Sequence, residues 1–132
     1  DRVLKSMRKG ITLAQIERAL DMLRDAGLNS RSGVIFGDEV ETFESAMFTL
    51  NWFKKNYTKY RMFVDMIIAF PGSALYKRAC ESGVIPNPVE FLKDGCPIVN
   101  VSKMNDKEFV DLVTIIEKMN YRKYNVKFYN NK

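Results

Sequence analysis

The most constraining feature is a pair of short apolar segments, each closed by turn residues and each followed at once by a helical pattern. The first is Ser32-Gly33-Val34-Ile35-Phe36-Gly37, and the second runs from Arg61 to Ala69 and ends in Phe70-Pro71-Gly72-Ser73. Short apolar runs framed by glycine and proline read as strands. The second is apolar at successive positions, so it is expected to be covered on both faces, as parallel strands are. After the first, Thr42 is placed as an N-cap, and Phe43, Ala46, Met47, Leu50 and Phe53 recur at the three-four spacing of one helix face. After the second, Ser73 opens a helix over Ala74 to Ser82 that Gly83 ends. Strands alternating with long helices give repeated βα units and a parallel sheet.

The flanks fit that scheme. Asp1 to Arg8 reads as a short helix ending near Gly10, and Thr12 with Gln15 forms a capping box for a second helix. Leu13, Ile16, Ala19, Leu20 and Leu23 supply its apolar stripe, and Gly27 stands where a left-handed C-cap belongs. Pro86, Pro88, Gly95 and Pro97 mark an irregular stretch with a short helix over Val89 to Lys93 and a strand near Ile98 to Val101. Asn105 caps a final helix with Glu108 at the box position, and Phe109, Leu112, Val113, Ile116 and Met119 face inward. One domain over residues 1–132 is expected, with βα units over 1–85 and a helical extension over 86–132. Two strands are few for a complete α/β domain, and Asp1 lies inside a helical pattern. The expected fold is therefore α/β, a fragment of a partial (β/α) TIM-like barrel with parallel strands and flanking helices.

Composition removes several chemistries. The 132 residues include no histidine, which excludes His-based triads, His general bases and His-ligated zinc in this chain. Two cysteines, Cys80 and Cys96, cannot make a disulfide scaffold, and reduced thiols in a cytoplasmic protein are the expectation. The apolar run Met62 to Phe70 is interrupted by Asp65 and falls far short of the ~20 residues that cross a bilayer, so no membrane insertion is expected. A net charge of +5 permits an anionic partner without demanding one.

In parallel α/β folds the working edge is the carboxyl end of the strands. That rule selects the loops Gly37-Asp38-Glu39-Val40-Glu41-Thr42 and Ala69-Phe70-Pro71-Gly72-Ser73, each offering free backbone N–H groups at a helix start. Gly33-Val34-Ile35-Phe36-Gly37, with Asp38 and then Glu41-Thr42, resembles the fifth-strand GxIxG motif of radical S-adenosylmethionine (SAM) enzymes. Ile67-Ile68-Ala69-Phe70-Pro71-Gly72-Ser73-Ala74-Leu75-Tyr76 is similar to their sixth-strand segment, in which apolar residues precede Pro-Gly-Thr-x-Leu-Tyr. The opening Asp1 to Gly10 resembles the stretch that follows a fourth-strand Gly-x-Glu-Ser segment in the same enzymes. The likeness spans residues 1–85 and is nearest to the cobalamin-dependent members, whose cobalamin domain precedes the barrel.

The resemblance implies a [4Fe–4S] cluster and SAM as cofactors, cobalamin as a further one, and oxidoreductase or methyltransferase chemistry. Gly33, Ile35, Gly37 and Asp38 would line the adenosyl part, with Ile35 against the adenine. Ile68, Ala69 and Phe70 would offer backbone groups to its edge. Two departures stand out: Glu39-Val40 replaces the family's Pro-Gly, and the CxxxCxxC that binds the cluster is absent. A site-differentiated cluster needs three thiolates, so this chain alone is expected not to cleave SAM.

Simpler readings exist for each residue. The strand glycines also suit any close-packed βα protein. Asp38, Glu39 and Glu41 either face substrate or ribose or belong to a solvated loop beside a helix dipole, and the solvated reading is favoured for Glu41. Asp65 either points into the barrel as a functional group or pairs with a lysine or arginine. Cys80 reads as packing, and nothing in the sequence activates Cys96. The tail Tyr121 to Tyr129 could contact nucleic acid through phosphates and stacking, but a packed helix end is the favoured reading. Unpaired strand edges and an apolar inner surface predict self-association, as a homo-oligomer.

Overall fold

In the computed structural model, which describes residues 1–29 and 31–129, helix boundaries follow the caps. The elements are α1 (Arg2–Ser6), α2 (Leu13–Asp25), β1 (Gly33–Phe36), α3 (Phe43–Tyr60), β2 (Phe63–Met66), α4 (Ala74–Glu81), α5 (Pro88–Lys93) and α6 (Asp106–Asn120). Thr12–Gln15, Thr42–Ser45 and Asn105–Glu108 each form reciprocal capping boxes that satisfy the orphan donors at the starts of α2, α3 and α6. The class is α/β: among the described residues there are six helices and one two-stranded parallel sheet.

β1 and β2 pair from Gly33↔Phe63 to Phe36↔Met66. Side chains alternate across a strand. Val34, Phe36, Val64 and Met66 point to the helices, where Phe36 is fully buried among Ala46, Leu50 and Phe53 of α3 and Phe109, Leu112 and Ile116 of α6. A second apolar cluster gathers Ala69, Ala79, Ile85, Phe91 and Val99 around α4 and α5. Gly33, Ile35, Phe63 and Asp65 take the opposite face.

That opposite face corrects the expectation of a strand covered on both sides. Ile35 is 43% and Phe63 52% exposed, and neither belongs to a buried cluster. β2 is also shorter than the apolar run. Ile67 N–H still donates to the Phe36 carbonyl (2.8 Å), but the Phe70 N–H then turns back to the Ile68 carbonyl (3.0 Å), ending the ladder.

The segment near Ile98 makes one parallel bridge, to Val126, rather than a strand over Ile98 to Val101. Its partner is the tail, which is extended rather than helical after the left-handed C-cap Tyr121. Tyr124, Val126 and Phe128 pack against the main core, and the Phe128 ring meets Phe109 edge-on. Asp65 is paired here: it accepts from the Tyr124 hydroxyl and forms an ion pair with Arg122 (2.8 Å). No helix among the described residues is long and apolar enough to cross a membrane.

Candidate functional site

Because Phe36 and Met66 are register partners, the two loops that follow them leave the sheet side by side at its carboxyl edge. Gly37 sits at φ +99, a conformation closed to most L-residues, and a Cβ there would lie 3.1 Å from Ile67 Cγ2. Glycine is thus what lets the second loop approach the first.

The first loop closes on itself. The Gly37 N–H donates to Glu41 Oε2 at 2.6 Å, and the Glu41 N–H donates to the Asp38 carbonyl at 2.9 Å. From far along the chain, the Lys103 N–H reaches the Glu41 carbonyl at 2.9 Å. These contacts bury Glu41 to 1% exposure, which corrects the solvated-loop reading. Burial pushes its carboxyl up to about 7, with the Gly37 hydrogen bond opposing the shift and the Asp38 charge adding to it. Asp38 is likewise buried, at 4%, and its Oδ1 accepts the Val40 N–H at 3.1 Å in an Asx turn. Glu39 is held by Arg78 of α4, whose Nε lies 2.9 Å from each carboxylate oxygen. That fork ties the β1–α3 loop to the helix that follows the second loop.

In the second loop Ile68 is half-buried against the main core, Ala69 is buried in the second cluster and Phe70 is exposed. Gly72 turns the chain at φ +87 into open space, and Ser73 Oγ accepts the Tyr76 N–H (3.1 Å) to cap α4. The structure therefore brings Gly37 and Asp38 beside the start of the Ile68–Phe70 loop, with Ile35 exposed on the open face next to them. Gly33 stands apart, at the amino end of β1, ~13 Å from Gly37 at the usual strand rise. A Cβ on Gly33 would lie 2.4 Å from the Phe63 ring, so its local task is to accept that ring.

Set against protein-family models, curated proteins and solved structures, the chain matches none. What the edge can do follows from its own atoms. It offers one exposed aliphatic side chain, a glycine at close approach and loop backbone groups, which suits a flat, partly apolar ring.

It does not suit a metal cluster. Among the described residues no three His, Cys, Asp or Glu side chains are grouped to hold a metal ion. Cys80 and Cys96 are half-buried beside the second apolar cluster, and two thiols fall short of the three a site-differentiated cluster needs. Sequence reasoning missed two parts of this edge. Arg78 carried no signal, since its partner lies 39 positions away. Glu41 was visible only as one of three loop acids.

Proposed function

We propose that this chain forms the adenine-side wall of a radical SAM site, within a (β/α) barrel whose cluster-binding residues lie outside this sequence. The observation that carries the proposal is the placement of Gly37–Asp38 and Ile68–Phe70 side by side at one carboxyl edge, with Ile35 exposed on the adjoining face. Bound SAM and the reduced cluster supply the one-electron chemistry. The chain's own part is binding and orientation. Ile35 gives apolar area to the ring, Gly37 lets the backbone come close, and the Glu39–Arg78 fork keeps the two loops in register.

The test is a titration of the chain with SAM, adenosine and guanosine, followed by backbone amide NMR. Shifts confined to Ile35, Gly37, Asp38 and Ile68–Phe70, saturating with SAM and adenosine and absent with guanosine, are expected. Ile35→Asp should remove them while the fold survives, because that side chain is not part of the core. Shifts elsewhere, or none, would sink the proposal. In a protein that joins this segment to a three-cysteine motif, anaerobic reconstitution should give about four irons per chain and reductant-dependent SAM cleavage.

A second reading has its own support. The open apolar face around Ile35 and Phe63 suits a noncatalytic interaction domain that associates with a second copy. A nucleic-acid role draws less support, since Tyr124, Phe128 and Tyr129 of the tail are half-buried. The Tyr129 hydroxyl donates to Asp94 at 2.8 Å and burial pushes its ionisation up, so that ring is committed to the fold.

A further inference from the structure

The open face of the sheet holds one charged side chain. Asp65 follows Phe63 by two positions on β2 and is the register partner of Ile35, so its carboxylate stands beside two exposed apolar groups. Both of its oxygens are engaged. Oδ1 accepts the Tyr124 hydroxyl and the Met66 N–H (2.9 Å), and Oδ2 accepts from Arg122 Nη1 (2.8 Å). The acid is satisfied within the fold, and what it presents to solvent is the cation it holds.

Arg122 is held more firmly than a solvated ion pair requires. After the left-handed Tyr121, Asn120 fixes the turn back toward β2: its Nδ2 donates to the Val64 carbonyl at 3.2 Å, and its Oδ1 accepts the Arg122 N–H at 3.1 Å. The guanidinium lies 5.7 Å from the centre of the Tyr124 ring, with Asp65 on its Nη1. Yet the Arg122 side chain is 62% exposed, and among the described residues only Asp65 accepts a hydrogen bond from it. An exposed ion pair contributes ~0–1 kcal/mol, so the arrangement does little for stability. It does fix the direction of a planar fork of N–H donors.

Charge decides the class of ligand. A pre-positioned guanidinium pairs with oxyanions. A phosphate, with its larger charge, calls for further cations, but Lys123 and Lys127 of the tail are taken by Glu117 and Asp94 at 2.7 and 2.6 Å. A singly charged carboxylate matches one cation. Phe63, ~7 Å along the strand from Asp65 on the same face, offers an exposed ring to an apolar body.

We propose that the open face of β2 binds a small organic carboxylate, with Arg122 as the specificity-determining residue, Asp65 as its positioning residue and Phe63 under the apolar body. The proposal does not rest on the SAM reading, which uses Ile35 and the carboxyl-edge loops.

Three probes share one body and differ in head group: 3-phenylpropionate, its amide and 3-phenylpropylamine. NMR of the Arg122 Nε–H and the Phe63 ring follows binding, and calorimetry checks the affinities. Saturable shifts at both residues are expected with the carboxylate, at about tenfold lower concentration than with the amide, because a hydrogen bond to a charged group is the stronger. The amine should give no saturation. Arg122→Gln should bring the carboxylate down to the level of the amide, and Arg122→Lys, which keeps the charge without the fork, should recover part of the difference. Asp65→Asn isolates positioning. It makes the face more positive, so charge alone would tighten carboxylate binding, whereas a lost anchor should weaken it. Tyr124→Phe leaves every charge in place and should weaken binding in the same direction, which keeps the test open even if Asp65→Asn folds poorly. Equal affinity for carboxylate and amide, saturation by the amine, carboxylate binding unaltered in Arg122→Gln, tighter binding by Asp65→Asn, or no saturable change with any probe would each overturn the proposal.

Discussion

At the scale of single residues, Glu41 determines the pH behaviour of the loop. Its carboxyl titrates at about 7 in the folded chain against an ordinary value of 4.5, chiefly because burial disfavours the charge. A raised folded-state value means that the folded chain holds a proton the unfolded chain has released. Glu41 therefore costs nothing below its unfolded value. It costs progressively more as pH rises toward about 7, and a constant amount above. Each tenfold change in proton affinity is worth ~1.4 kcal/mol, which sets a ceiling of about 3 kcal/mol, and loop relaxation brings a working figure to ~1–2 kcal/mol. Glu41→Gln keeps an oxygen for the Gly37 N–H and removes the charge. Urea unfolding should find it more stable than the parent by that amount at pH 8 and equal to it at pH 4.5. The same offset at both pH values would show that the ionisation is not the cause. Little of this was legible from sequence. The carboxylate is buried partly because Lys103, 62 positions away by residue number, caps its carbonyl. By contrast the capping boxes at Thr12, Thr42 and Asn105 close within three residues and depend on nothing distant.

At the scale of elements, β1 is bracketed by two glycines with different reasons for being glycine. Gly37 combines φ +99 with a 3.1 Å approach to the half-buried Ile67, and the core side chains of Met66 and Phe109 stand close behind at 3.4 and 3.7 Å. Gly33 has ordinary backbone, and its close neighbour is the ring of Phe63, which is 52% exposed and free to swing outward. Gly37→Ala should therefore destabilise by ~1–3 kcal/mol, the usual cost of forcing a side chain into a sparsely populated backbone region. Gly33→Ala should cost well under ~1 kcal/mol and register as a shift of the Phe63 ring resonances. Chemical denaturation of the two variants side by side checks the contrast, and equal losses would refute it. Sequence pattern finds both glycines at once but cannot rank them, since the ranking depends on which neighbour is rigid. The tail shows the same division. Its aromatic and basic residues were plain to see, while their use was set by partners on β2 and before α6. Tyr124 is pushed up to about 12 by burial and by the Asp65 carboxylate it serves, so the hydroxyl stays a donor across the working pH range.

At the scale of the whole molecule, the sheet has one face packed and one face open. The βα order and the parallel pairing were readable from alternating strand and helix signals. The open face was not. An apolar strand shows how much surface wants cover, and only the packing shows that α3 and α6 cover one side. Ile35 and Phe63 thus form an apolar patch beside the carboxyl edge, and such patches on soluble chains mark contact surfaces. Self-association through this face and the SAM binding proposed at Ile35 would compete for the same atoms. A ligand that binds only the free face shifts the assembly toward monomer by mass action. Sedimentation velocity over a concentration series should show reversible association that Phe63→Lys abolishes, because a charge would have to be buried against its copy. Saturating SAM should lower the apparent association constant of the parent chain, and guanosine should leave it unchanged. Association that persists in Phe63→Lys would place the contact elsewhere. Association indifferent to SAM, alongside demonstrated SAM binding, would separate the adenine wall from the self-contact face and leave each to be mapped on its own residues.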